Sequence, residues 1–237
     1  MESGKLNVPS GVFVISLPRD ELNDRLGGGI PAGSLMLLEG REGTGRSVLC
    51  QRLCYGLLEN GRTVTFVSTE MTVKEFIDQM HSLDFKIADY LLRGELRYFP
   101  VYPLVGRTKA RGDFLDKFMS SPVLFDTDAL IVDCFSSLVS NSSMGPRVFD
   151  FIAFMKKVVS TGKAVVLTVD EGHEEIEPIR MASDILISLK MSTSSGGMQR
   201  QMHVKRFARA RGRVQDIIYY RIEHKTGLVI ELTEVSG

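Results

Sequence analysis

The sequence predicts an α/β domain with a mostly parallel central sheet flanked by helices, extended by antiparallel strands near the C-terminus. Three observations carry that prediction. Short apolar runs alternate with longer segments of helical periodicity, the rhythm of βαβ units. Residues 40–47 read Gly-Arg-Glu-Gly-Thr-Gly-Arg-Ser between an apolar run and a helical pattern, the strand–loop–helix order of a phosphate-binding loop. After about residue 184 the segments turn strand-like, and turn residues separate them.

The elements follow in order. Residues 35–39, 64–68, 129–133 and 164–169 are near-continuously apolar, as strands covered on both faces should be. A helical pattern runs over 46–58, directly after the loop. A second covers 73–80, with Thr72 placed to cap it. Val148, Phe151, Ile152, Met155, Val158 and Val159 are spaced for one face of a helix, with Pro146 at its start and Gly162 past its end. Residues 184–189, 202–207, 217–223 and 228–232 read as the antiparallel strands, with turns at 194–197 and 226–227. The Ser-rich stretches 136–143 and 192–195 read as loops. No internal repeat or linker divides the chain, so residues 16–237 form one expected domain and residues 1–15 a flexible arm.

Composition narrows the function. Lys and Arg total 29 and Asp and Glu total 29, so no global field draws in nucleic acid or an anionic membrane. The first ten residues lack the basic-then-apolar pattern of a secretory signal. No run approaches the ~18 apolar residues of a membrane span. The three cysteines cannot build a disulfide framework and have no zinc spacing. Cys50 and Cys54 read as buried small apolar side chains, and a cytoplasmic location follows as the expectation. The four histidines are scattered and suggest no metal site.

Gly40, Arg41, Glu42, Gly43, Thr44, Gly45, Arg46, Ser47 and Val48 make up the candidate nucleotide cradle. In the pattern G-x-x-x-x-G-K-[ST], backbone N–H groups converge on phosphates, lysine reaches the β- and γ-phosphates, and the hydroxyl ligates Mg²⁺. Here Arg46 stands in the lysine position. A guanidinium is longer, planar and forked, so it cannot place a compact ammonium between the phosphates. Asp133 ends the apolar run 129–133, where open α/β sheets bind ligands. It is the Walker-B-type partner of Ser47 in holding Mg²⁺.

Glu70 ends the run after the first helix and is the candidate base for an attacking water; the competing reading is a charge before the 73–80 helix. Thr168 and Asp170, at the end of the next strand, are candidates for sensing the γ-phosphate. Residues 205–213 hold Lys205, Arg206, Arg209, Arg211 and Arg213. Three readings compete for them: a solvated loop, a nucleic-acid patch, or basic fingers offered to a neighbour's nucleotide.

Residues 26–34, Leu-Gly-Gly-Gly-Ile-Pro-Ala-Gly-Ser, resemble the entry to the phosphate loop in RecA-superfamily ATPases of the KaiC type. Residues 55–80 and 204–231 look most like the archaellum accessory ATPase, the FlaH family. The resemblance covers most of the chain. It implies a RecA-like P-loop NTPase core, bound ATP and Mg²⁺, and a homo-oligomeric ring. It also implies contact with the archaellum motor ATPase and its membrane platform protein. By the same likeness, Lys205, Arg206 or Arg209 reaches a neighbouring site. Clock-type relatives usually carry two glutamates at the first strand tip, whereas this chain has Thr69-Glu70. With Arg46, that departure predicts retained ATP binding and slow or negligible hydrolysis.

Two other functions fit parts of the sequence. A RecA-like DNA-binding ATPase would use the 205–213 patch, although zero net charge and few nearby aromatics argue against it. A non-catalytic scaffold would bind nucleotide weakly or not at all. Phosphotransfer to the protein's own Ser or Thr residues is a further known property of clock-type relatives.

Overall fold

A computed structural model of the chain describes residues 11–101, 114–139, 147–194 and 197–231. Its first half comprises β1 (Val12–Phe13), α1 (Leu22–Arg25), β2 (Ile30–Pro31), β3 (Leu35–Gly40), α2 (Arg46–Glu59), β4 (Val64–Ser68), α3 (Val73–Ser82), α4 (Ala88–Leu92) and β5 (Leu96–Pro100). Its second half comprises α5 (Phe114–Met119), β6 (Ala129–Asp133), α6 (Phe135–Val139), α7 (Arg147–Ser160), β7 (Ala164–Asp170), α8 (Glu177–Ala182), β8 (Ile185–Ser194), β9 (Gly197–Phe207), β10 (Ile217–Glu223) and β11 (Gly227–Ile230).

Nine strands form one sheet in the order β11-β10-β9-β8-β3-β7-β6-β4-β5. The six strands from β8 to β5 are parallel. β9, β10 and β11 continue the sheet in antiparallel pairing. The expected α/β class and its antiparallel extension are therefore both present.

Successive residues of the parallel strands enter two separate cores. Met36, Leu38, Phe66, Ile131 and Val166 face the layer that contains α2 and α3. Leu35, Leu37, Val67, Val132 and Leu167 face the layer built from α5, α7 and α8. Both faces being covered, the strands carry no polar alternation. Each fully buried Leu or Val contributes about 1.5–3 kcal/mol. On α7 the anticipated stripe is in place: Val148, Phe151, Met155 and Val159 are buried, with Ile152 and Val158 half-buried against the same core. Pro146 lies outside the described residues.

α2 is enclosed on most sides because the N-terminal segment crosses it. Gly56 approaches so closely that a Cβ there would stand 2.7 Å from the Ile15 carbonyl oxygen. Beside it the fully buried Arg52 bonds Asp20 through Nε at 2.5 Å and Nη2 at 2.6 Å. That pair fastens the approach to α1 onto the helix that carries the phosphate loop.

Several expectations are corrected. Residues 11–15 belong to the fold, since β1 pairs with β2 and Ile15 is fully buried; residues 1–10 lie outside the described residues. Ser192 and Ser194 sit in β8, and Ser136 in α6. Residues 140–143 and 195–196 again fall outside the described residues, as does Leu232. β8 and β9 are longer than the 184–189 and 202–207 runs because polar residues continue them into a two-stranded ribbon. β5 adds an edge strand that the apolar runs did not reveal.

Candidate functional site

β3 delivers Gly40 at its C-terminal edge, and the chain turns over residues 41–45 into α2. The turn closes on itself: the Thr44 N–H and Oγ1 both donate to the Arg41 carbonyl, at 3.2 and 2.7 Å. Gly45, at φ 92°, takes the left-handed conformation at the helix N-cap that favours glycine. The free N–H groups of the first turn of α2 then form an anion-binding end. Two braces come from the antiparallel strands. The Tyr220 hydroxyl of β10 donates to the Thr44 carbonyl at 2.5 Å, and Arg200 Nε of β9 donates to the Gly43 carbonyl at 3.2 Å. Burial pushes the Tyr220 hydroxyl well above its ordinary pKa, so it stays a donor.

Asp133 stands at the C-terminal edge of β6 and is buried. Its Oδ1 accepts from Thr168 Oγ1 at 2.8 Å, while its Oδ2 has no hydrogen-bond partner. Burial raises its pKa, against the pull of Thr168, of nearby Ser47 and of the Arg46 charge. A buried carboxyl oxygen left without a partner is costly by itself. It fits a cation that takes oxygen ligands, with phosphates and water completing the shell. Ser47 and Asp133 therefore fit the Mg²⁺ role read from the sequence.

Arg46, the first residue of α2, turns away from solvent, its side chain 10% exposed. Its Nη2 lies 2.5 Å from Asp170 Oδ1 at the tip of β7, and its Nη1 lies 3.7 Å from Cys134 Sγ. Burial works against the Arg46 charge, but Cys134, Asp170 and Asp133 around it outweigh that and hold it more firmly protonated than usual. Asp170 Oδ2 accepts from Ser136 Oγ at 2.8 Å, and Ser136 Oγ accepts from the Asp170 N–H at 3.0 Å. Although burial pushes Asp170 up, Ser136 and Arg46 prevail and hold it below the ordinary carboxylate range. One residue on, Arg41 of the loop pairs with Glu171 at 2.8 Å. The sequence points to Asp170 only as a γ-phosphate sensor; its pairing with Arg46 has no signal in either segment.

Glu70 follows β4 and faces the same cleft, exposed on one side. Ser68 Oγ accepts from the N–H groups of Glu70 and Met71, both at 3.2 Å, which fixes this turn. Thr69 ties the turn to β6: its N–H donates to the Asp133 carbonyl at 2.8 Å, and its Oγ1 accepts from the Cys134 N–H at 3.0 Å. Burial and the Asp133 charge raise the Glu70 pKa, opposed by Arg46. Thr72 caps α3 in a reciprocal box with Glu75, as its place in the sequence suggests.

An open cleft of about 590 Å³ runs over the loop, lined in part by Arg41, Arg46, Glu42, Glu70 and Asp170. Two cations thus face three carboxylates. A triphosphate entering alone would meet an excess of like charge, which a divalent cation offsets. Ile222 of β10 closes one wall and was not anticipated. A larger cleft of about 700 Å³, between Asp24, Arg25 and residues 213–217, shares none of this lining.

The basic segment lies elsewhere. Phe207 pairs with Ile185, the first residue of β8, whereas the phosphate loop follows the last residue of β3. The two features occupy opposite ends of the parallel strands. Arg206 Nη1 donates to the Ser183 carbonyl at 2.7 Å, and Arg209 Nη2 donates to the Gly33 carbonyl at 2.8 Å. Lys205 is exposed. Within one chain, none of the three meets the loop, whereas residues 40–48, Glu70, Asp133, Thr168 and Asp170 converge.

A phosphate loop after β3, a buried aspartate ending β6 and an antiparallel extension define the class: an ATPase-type domain with the RecA-like fold. The family model for KaiC-type ATPases matches residues 20–234. The archaeal flagellar ATP-binding protein FlaH of Methanocaldococcus jannaschii is 40% identical over 225 residues, which is 94% of this chain and 97% of that protein. FlaH of Methanococcus voltae is 33% identical over 225 residues, 94% of this chain and 98% of its own. The crystal structure of the flagellar accessory protein FlaH from Methanocaldococcus jannaschii matches with a TM-score of 0.89 at 39% identity, covering 94% of this chain and all of that one. The chain belongs to the FlaH family of KaiC-type ATPases.

Proposed function

We propose that this protein binds Mg-ATP as the regulatory accessory ATPase of an archaellum motor, with slow or negligible hydrolysis. The observation that carries the binding is the buried Asp133, whose Oδ2 is left without a partner at the C-terminal edge of β6, with Ser47 near enough to act on the same carboxyl. Its relatives are named archaeal flagellar ATP-binding proteins, which supports the archaellum assignment. When bound, Mg²⁺ would neutralise phosphate oxygens, with Ser47 and Asp133 as its protein ligands. Thr168 keeps Asp133 Oδ1 occupied and leaves Oδ2 for that role. The N–H groups at the start of α2 would hold the phosphates. Glu70, raised above the ordinary carboxylate range, would take the proton of an attacking water.

Slow turnover is supported by Arg46, whose charge is committed to Asp170. A charge already shared with a carboxylate is less able to stabilise the developing charge of a phosphoryl-transfer transition state. The output is then nucleotide-dependent conformation or ring assembly, since a ligand shifts equilibria only toward the state it binds better. In a ring at the cytoplasmic face, the partners would be the motor ATPase and its membrane platform protein. Because Arg206 and Arg209 are held by carbonyls of their own chain, Lys205 is the stronger candidate to reach a neighbour's nucleotide. The same internal bonds weigh against a DNA-binding patch. Among the described residues no helix is long and apolar enough to cross a membrane, in keeping with attachment through partners.

Equilibrium dialysis against Mg-ATP, with light scattering on the same samples, tests this reading. Wild type should bind and change its oligomeric mass, and Ser47→Ala and Asp133→Ala should lose both responses. Absence of binding at millimolar Mg-ATP, or binding indifferent to both substitutions, would instead support a scaffold.

A further inference from the structure

We propose that Asp170 is a positioning residue that sets nucleotide affinity by competing with the triphosphate for Arg46. The proposal rests on reading the cleft as a triphosphate site and adds a built-in competitor to it. Arg46 leaves the chain directly after Gly45, from the loop that would receive the phosphates, yet its guanidinium is drawn to the tip of β7. There Nη2 stands 2.5 Å from Asp170 Oδ1. The carboxylate is the fixed member of the pair. Ser136 Oγ donates to Asp170 Oδ2 at 2.8 Å and accepts from the Asp170 N–H at 3.0 Å. Among the described residues Arg46 is held only by Asp170 and by a long contact to Cys134 Sγ at 3.7 Å, and its stem has four rotatable bonds, so it is the partner that moves.

Carboxylate and phosphate oxygens present the same acceptor geometry to a guanidinium fork. A triphosphate at the start of α2 would therefore seek the guanidinium that Asp170 holds through Nη2. It would also bring like charge toward Asp170, which lines the same cleft. Both effects have one sign, and neutralising Asp170 should tighten binding. The neighbouring Arg41–Glu171 pair repeats the arrangement one residue past the end of β7, outside the buried layer. An ordinary brace predicts the reverse: without Asp170, Arg46 would lose its orientation and affinity would fall.

The Asp170 side chain is 41% exposed, so solvent screening limits the gain to about fivefold. Isothermal titration of Mg-ATP and, separately, of magnesium tripolyphosphate should use wild type, Asp170→Asn, Arg46→Gln and the double variant. Asp170→Asn is expected to bind both ligands about fivefold more tightly. In the Arg46→Gln background that gain should shrink to less than about half, because the competitor has lost its target.

Thermal unfolding supplies a readout that a purely structural role would not move in this way. Asp170→Asn should lower the ligand-free midpoint and enlarge the shift produced by Mg-ATP, and Asp170→Ala should repeat the direction without leaving an amide. Equal or weaker binding by both variants beside a wild type that binds would overturn the competition alone. Binding gained only on neutralising Asp170 would support it, and no binding by any variant would overturn this inference together with the nucleotide reading.

Discussion

Replacing Asp133 by asparagine should make the ligand-free protein more stable while removing its response to Mg-ATP. The carboxyl is buried, and its Oδ2 has no partner; an acceptor left in that condition costs about 1–3 kcal/mol. Asparagine keeps an oxygen for Thr168 Oγ1, now 2.8 Å from Oδ1, and removes the orphaned carboxyl oxygen. The weaker neutral bond to Thr168 takes back part of the gain, leaving about 1 kcal/mol net. In a domain of this size that is a rise of about 2–4 °C in the unfolding midpoint. Wild type at a hundred times its Kd for Mg-ATP should gain about 2.7 kcal/mol, and the variant close to none.

The pH profile adds a sign check. Burial raises the Asp133 pKa above its unfolded value, so its contribution is most favourable below the unfolded pKa. That advantage is lost as pH rises toward the folded pKa. Wild type should lose stability over that window, and Asp133→Asn should not. Thermal unfolding with and without Mg-ATP, between pH 4 and 8, reads both effects. A variant less stable than wild type with an undiminished nucleotide shift would refute the reasoning.

Three further outcomes follow from the geometry. Gly45→Ala should cost about 1–3 kcal/mol, because φ is 92° at the loop's exit, and should weaken Mg-ATP binding in the same titration. Asp20→Ala leaves the fully buried Arg52 unpaired and should cost about 3–5 kcal/mol in urea unfolding, whereas Asp20→Leu with Arg52→Met should recover most of it. Arg46→Lys gives up the planar guanidinium whose Nη2 is held by Asp170 and should raise turnover or Mg-ATP affinity in a coupled phosphate-release assay. A fall in both would identify the arginine as an adapted phosphate ligand.

Much of the fold was legible because buried parallel strands declare themselves as unbroken apolar runs. The run 129–133 matches β6 from Ala129 to Asp133, and the loop with its following helix begins at Arg46 as read. β5 was hidden for a physical reason: at the sheet edge Leu96 alone is buried, Arg97 is half-exposed and Pro100 ends the pairing. The outer halves of β8 and β9 were hidden because Lys190, Ser192, Gln199 and Arg200 build a polar ribbon beyond the core. Spacing placed Ser47, Glu70, Asp133 and Thr168 together, since all stand at the C-terminal ends of parallel strands or on the turn or helix start that follows. The Arg46–Asp170 pair and the Tyr220 brace depend on side-chain reach across the sheet, to which one-dimensional patterns are blind. For the same reason, the cluster of charges at 205–213 did not disclose that Arg206 and Arg209 bond their own chain.

Binding and turnover of Mg-ATP measured on one preparation test the central claim most directly. Saturable binding that depends on Ser47 and Asp133, with turnover far below the ~10 s⁻¹ typical of enzymes, is the predicted result. Turnover near that typical value, or no binding at millimolar Mg-ATP, would contradict it.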